Sequence, residues 1–275
     1  MSDLAEQVKR LWEGRDDIAA VMPKSEARAV VHEAIDLLDR GEARVAEISG
    51  GEVIVHEWLK QAILLLFRLE DLAVMEVGPF EYQDKLPLKH GYASSRVRVV
   101  PGGSARWGSY LAPGVILMPS YVNIGAHVGS ETMVDTWATV GSCAQIGERV
   151  HLSGGVGIGG VLEPPQAAPV IVGDDAMLGS RCMVTQGARV GEGSVLGEGV
   201  ILNPAIPVID AETGEEVARG VVPPWCVVVQ AMRKREFPGG EFGLPCALIL
   251  RRLGPGERAD TAKLNEILRE HGVGT

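Results

Sequence analysis

The chain has 275 residues and carries 36 acidic against 26 basic side chains, a net charge of −10 that excludes a general nucleic-acid binder. The longest apolar run, residues 62–67, is far too short to span a bilayer, and the N-terminus lacks a basic-then-apolar leader pattern, so a cytoplasmic protein is expected. Aromatic residues make up only 5% and none of the four cysteines forms a CxxC pair, which points to an aliphatic core with reduced, buried thiols.

Taken in chain order, Leu4, Val8, Leu11 and Trp12 share one helix face. A second helix is predicted from Ser25, burying Ala29, Val30, Ala34, Leu37 and Leu38 and ending at Gly41. Residues 43–48 and 53–56, joined by Gly50-Gly51, read as a hairpin, and 58–67 as another helix. Residues 68–100 are mixed. Residues 1–100 are thus expected to form a mostly helical α/β domain.

From Ile116 the pattern changes. Apolar residues recur every six positions at Ile116, Val122, Val128, Val134, Val140, Ile146, Leu152 and Ile158. The phase breaks at a proline-rich segment, 163–169, and resumes at Val172, Leu178, Val184, Val190, Leu196 and Leu202. A smaller residue follows four positions after most of these, for example Ala126, Thr132, Ala138, Ala144 and Cys182. A repeat of six fits neither a helix nor a simple strand and is the mark of a parallel β-helix. Three hexads close one triangular coil, and Gly125, Gly129, Gly141, Gly147 and Gly159 are expected to permit its tight corners. The fold class expected is mainly β, with the prism at 101–204. Residues 205–275 should form a cap: a hairpin near 208–217, strands at 227–229 and 247–250, and a final helix with Leu264, Ile267 and Leu268 on one face.

Longer, non-repetitive blocks are set into this ladder: 118–126, 133–147 and 150–164, with 43–47 and 56–60 before it. Through them the chain resembles the 2,3,4,5-tetrahydropyridine-2,6-dicarboxylate N-succinyltransferase family of hexapeptide-repeat acyltransferases. The resemblance implies a left-handed β-helix and a homotrimer with active sites between subunits. It also implies acyl transfer to the nitrogen of a cyclic dicarboxylate in lysine and diaminopimelate synthesis. No permanent cofactor is implied; succinyl-CoA or acetyl-CoA is the acyl donor.

On this likeness Arg98 matches a substrate-binding arginine and Asp135 an active-site aspartate that also contacts substrate. The chemistry suits both: a guanidinium grips a carboxylate with two N–H groups, and a carboxylate can orient a nitrogen nucleophile and take its proton. Gly160, Arg181 and Lys234 are candidate coenzyme A contacts, the last within a basic triplet, Arg233-Lys234-Arg235, after the post-prism strand. The competing readings are a surface ion pair for Arg98, a corner aspartate bonded to its own turn for Asp135, and a solvated basic turn for the triplet.

His151 is an alternative base. Zinc binding needs a close histidine pair, whereas His127 and His151 are 24 residues apart, so no metal is expected. The chain departs from the family where a glutamate-bearing segment would fall: Met183 and Gln186 stand in place of carboxylates. Two readings stay open, a succinyltransferase that dispenses with that carboxylate, or a divergent relative, such as a tabtoxin-biosynthesis acyltransferase, with an acetyl donor or another acceptor. A β-helix without catalysis, acting as an interaction subunit, is the alternative of another class.

Overall fold

A computed structural model describes residues 2–257, 266, 267 and 269–271. The N-terminal part has four helices: α1 (Ser2–Glu13), α2 (Ile18–Val21), α3 (Lys24–Asp39) and α4 (Glu57–Leu69). Between α3 and α4 lies the predicted hairpin, Ala46–Ser49 paired with Glu52–Val55; a second, Ala73–Val77 with Phe80–Asp84, follows α4. The helices pack in one core, where Leu4, Val8 and Leu11 meet Val30, Ala34 and Leu38 as the sequence predicts, but α3 also buries Ala27, Val31 and Ile35, while Ala29 is exposed and Leu37 only partly buried, so its face is rotated from the expected one.

From Arg98 onward the chain winds into a triangular prism of two-residue strands in three parallel sheets. The first face stacks Arg98–Val99, Ile116–Leu117, Met133–Val134, His151–Leu152, Met177–Leu178 and Val195–Leu196. The second stacks Ser104–Ala105, Tyr121–Val122, Thr139–Val140, Gly157–Ile158, Met183–Val184 and Ile201–Leu202. The third stacks Tyr110–Leu111, His127–Val128, Gln145–Ile146, Ile171–Val172, Arg189–Val190 and Val221–Val222. The second residue of each strand points inward, and those side chains form one continuous aliphatic core. Stacking thus begins before residue 101 and resumes after 204, at Val221.

The phase of the first rung differs from the sequence expectation. Ile116 is not the first inward rung: it is half-exposed, and Leu117 is buried in its place. Only five residues separate Leu117 from Val122, so the corner at 118–121 is one residue short and Val134 stacks on Leu117. Counting back by six from Val122 therefore lands one residue off, on the opposite side of the strand. The true column continues downward through Leu111, Ala105 and Val99.

The glycines act for two different reasons. Gly125 has φ of +76°, which a side chain adopts with strain. Gly129, Gly141, Gly147 and Gly159 are not in that region. They sit directly after an inward residue, where the next coil passes close. A Cβ on Gly141 would lie 2.2 Å from the Gly160 nitrogen, and one on Gly129 2.5 Å from the Gly147 carbonyl carbon.

The chain leaves the prism at two points. An excursion at 159–170 separates the second strand of the fourth coil, Gly157–Ile158, from its third, Ile171–Val172. A second carries the hairpin Pro207–Asp210 with Glu216–Arg219. Cys226–Phe237 joins the first face and then turns back as Gly240–Arg252, a longer antiparallel ribbon than the short strands expected. Its base covers the end of the prism, where Val208, Ala247 and Ile249 complete the core. Arg233, Lys234 and Arg235 lie within this ribbon rather than in a turn after it. Of the final helix, Ile267 is buried beside Val195 and Val227; Leu264 and Leu268 lie outside the described residues.

Leu117→Ala should cost about 2–5 kcal/mol of stability and Ile116→Ala clearly less. Denaturant unfolding of the two variants checks the register, and the reverse order would contradict it.

Candidate active site

Stacking with the period of the coil decides which side chains meet. Met133 pairs with His151, so Asp135, just past Met133 at the corner, faces His151 on the next coil. His151 Nε2 lies 3.3 Å from Asp135 Oδ2. The other carboxylate oxygen accepts the Thr136 backbone N–H at 2.6 Å and the Thr136 hydroxyl at 3.2 Å. The Thr136 amide, followed by the His151 and Thr136 side chains, holds the Asp135 carboxyl below the usual carboxylate range despite opposing desolvation. Asp135 is therefore an anion at neutral pH. The two side chains are 30% and 40% exposed, so the pair is open to a ligand.

The corner reading of Asp135 and the functional one coexist, since a single carboxylate bonds its own turn and the histidine. At the same edge Trp137 has a φ of +61° and is 73% exposed. Two coils further on, Arg181 also has a left-handed backbone and is exposed. Its side chain lies over Gly155, where a Cβ would meet Arg181 Cδ at 2.8 Å.

Arg98 is exposed on the same first face, two coils below Met133 and three below His151. At the spacing of stacked strands that is about 10 Å and about 14 Å along the prism. No side chain among the described residues pairs with its guanidinium, so the surface ion-pair reading is not what the structure has. Arg98, Asp135 and His151 thus line one wall. A shallow hollow of about 120 Å³ beside His151, walled by Met177, Val195 and Trp225, continues it.

The other candidates fall elsewhere within one chain. Met183 is 43% exposed on the second face, round the corner from Asp135, with its sulfur against Gly157. Gln186 is exposed beyond the far end of that strand. Gly160 begins the excursion at the edge between the second and third faces, where a Cβ would meet the Ser142 nitrogen. Lys234 is 77% exposed on the ribbon and bonded to Glu241 at 2.7 Å. Gly160, Arg181 and Lys234 are therefore not brought together in a single chain.

The cysteines are buried, and burial pushes the Cys143 thiol up to about 12, far from a reactive thiolate. His127 and His151 sit on different faces, and among the described residues no group of three side chains is placed to hold a metal.

Sequence reasoning did not find the residue that shapes the excursion. Lys60 is fully buried in α4 and donates to the backbone oxygens of Pro164 and Ala167, at 3.1 and 2.7 Å. The signal was a lysine amid the apolar run of an otherwise buried helix face.

A prism of hexapeptide repeats with an aspartate and a histidine paired on its open wall is the setting, and the relatives below place the chain among the coenzyme A-dependent hexapeptide acyltransferases. The profile described as "Tetrahydrodipicolinate N-succinyltransferase N-terminal" matches residues 3–69, and "Hexapeptide repeat of succinyl-transferase" matches 169–204. A protein of Paramagnetospirillum magneticum named 2,3,4,5-tetrahydropyridine-2,6-dicarboxylate N-succinyltransferase is 48% identical, covering 97% of this chain and 98% of its own. A protein of the same name from Parvibaculum lavamentivorans is 49% identical over 98% of this chain and 99% of its own. In fold, the chain is similar to a Campylobacter jejuni crystal structure provisionally named a 2,3,4,5-tetrahydropyridine-2-carboxylate N-succinyltransferase (TM-score 0.50, 19% identity, 80% of this chain and 62% of that one). The chain belongs to the 2,3,4,5-tetrahydropyridine-2,6-dicarboxylate N-succinyltransferase family, and its prism is the left-handed parallel β-helix.

Lys60→Met should free the excursion while leaving most of α4 packed. Limited proteolysis is expected to cut between 160 and 170 faster in this variant than in the parent, and equal cutting rates would show that the lysine does not hold the loop.

Proposed function

We propose that the protein transfers a succinyl group from succinyl-CoA to tetrahydrodipicolinate, giving N-succinyl-2-amino-6-oxopimelate, as a step in lysine and diaminopimelate synthesis. The observation that carries this reading is the near-half identity to relatives of that name along almost the whole chain. In the reaction, water adds across the ring C=N bond and the ring opens to an amine and a ketone. The amine nitrogen attacks the thioester carbonyl, an N–C bond forms, the C–S bond breaks and the thiolate takes a proton. The nitrogen sheds its own proton to a protein base.

Asp135 and His151 are proposed for that proton. A carboxylate held below its usual range is a weaker base but a good anchor for an N–H donor. Its second oxygen, near His151 Nε2, can orient the ring so that the pair accepts the proton together. Arg98, on the same wall, is proposed to grip a substrate carboxylate. Arg181, Gly160 and Lys234 are proposed for coenzyme A.

Because one chain supplies only an open wall, the working unit proposed is a homotrimer. Its active sites would lie between neighbouring subunits, as the family resemblance implies. Met183 and Gln186 do not argue against a succinyl donor. The stretch that holds both residues, 169–204, matches the profile described as "Hexapeptide repeat of succinyl-transferase". The acetyl-donor reading is decided by the same assay. A cytoplasmic setting is proposed with it; no helix among the described residues is long and apolar enough to cross a membrane.

Thiol release from succinyl-CoA in the presence of tetrahydrodipicolinate should exceed that from acetyl-CoA. A faster acetyl reaction would move the assignment to the divergent relative, and no release with either donor would reject the function. Asp135→Asn should lower turnover by about 10²-fold or more. Near-normal turnover in that variant, with loss in His151→Asn, would make the histidine the sole base. Sedimentation should give a trimer, and an active monomer would contradict a shared site.

A further inference from the structure

One of the larger cavities lies away from the proposed catalytic wall. A groove of about 620 Å³ lies over the third face, roofed by the hairpin Ala46–Ser49 with Glu52–Val55 and by the segment before it. Its floor carries the outward side chains Tyr110, His127 and Gln145, which stack coil upon coil.

Arg44 enters this groove from the N-terminal part and is half-buried. Its Nε donates to Gln145 Oε1 at 3.1 Å. Gln145 is itself fixed, because its amide nitrogen donates to the carbonyl oxygens of Gly125, Cys143 and Ala144. The guanidinium is thereby held in one orientation. No side chain or backbone oxygen among the described residues takes its two terminal nitrogens.

His127 lies beside it, with its ring 4.8 Å from that of Tyr110. Nδ1 is buried without a partner. A buried N–H with nothing to donate to is costly, so the proton belongs on Nε2, the nitrogen left open to the groove. Burial and the nearby Arg44 charge push the imidazolium down to about 3, so the ring stays neutral. Arg44 and His127 together offer N–H donors and one positive charge.

Carboxylates border the same space. Glu47 is paired with His56 and Glu148 with Arg149. The Asp174 carboxylate accepts the Glu148 backbone N–H through Oδ1 and no other hydrogen bond among the described residues, which leaves Oδ2. A simple anion would meet these acids, and a simple cation would meet Arg44. A ligand bearing both charges satisfies each.

We infer that this groove is a binding site for a free α-amino acid, with its carboxylate on Arg44 and His127 and its ammonium on Asp174. It is separate from the proposed reaction site, being on a different face of the prism from Asp135 and Arg98. Ligand there would tie the segment before the first hairpin to the third face and its edge, because Arg44 comes from that segment, His127 from the face and Asp174 from the corner after Ile171–Val172.

Calorimetric titration of the intact protein with L-alanine, L-glutamine and L-lysine tests the inference, the three differing in side-chain length and charge. At least one should bind saturably with Kd below about 1 mM. Its N-acetyl derivative and its methyl ester, each lacking one charge, should bind about 10- to 100-fold more weakly. Arg44→Met should remove binding, and Asp174→Asn, which keeps the acceptor for the Glu148 amide, should weaken it by a similar factor. If Arg44→Met does not fold, Asp174→Asn with the two blocked ligands decides the matter alone. Asp135→Asn should leave binding intact. Saturable binding by none of the three, unchanged affinity in Asp174→Asn, equal affinity for the ester, or loss of binding in Asp135→Asn would each overturn the inference.

Discussion

Close contact between successive coils governs this molecule. Each strand has two residues and hydrogen-bonds to the coil above and below, so the backbones run at strand spacing along the whole prism. One residue of each strand must then be aliphatic and inward, and the position just after it often must lack a Cβ. Gly129, Gly141 and Gly147 mark places where a side chain would strike the next coil's backbone. The outward residues inherit the same order. Any two on one face and adjacent coils are neighbours, whatever their separation in sequence. That is how Asp135 and His151 come together and how Arg44 finds Gln145 and His127 as a ready pair.

Much of this was legible from the chain. The period of six gave the prism, the break at 163–169 gave the excursion, and the small residues four positions on are buried corner residues such as Ala126, Ala138, Ala144 and Cys182. What escaped was phase and cause. Ile116 and Leu117 are both large and aliphatic, so periodicity could not choose between them once the corner had lost a residue. Composition alone could not separate a glycine needed for its φ, such as Gly125, from one needed for close approach, such as Gly141.

The site was legible to the extent that it follows the ladder. Arg98 and Asp135 share one wall because the strand register puts them there, and His151 joins them by the same rule. Residues drawn from separate excursions, Gly160 and Lys234, obey no such rule, and one chain leaves them far from Arg181. Lys60 and Arg44 were harder still. Each acts through contacts a hundred or so positions away, between a helical domain and a prism whose separate patterns say nothing about how they dock.

The docking of the two parts has a consequence for the order in which the protein is made. The helical part presents Ile63 and its neighbours to Ile124 and Cys143 on the prism edge, and Lys60 to backbone oxygens 104 and 107 residues later. A chain emerging from the ribosome N-terminus first has its helices before their counterpart exists. The apolar flank is covered as Ile124 and Cys143 of the second and third coils arrive, whereas the lysine has no acceptors until residues 164 and 167 of the excursion follow. The excursion is drawn against α4 when its own residues arrive, so its shape depends on a surface made well before it.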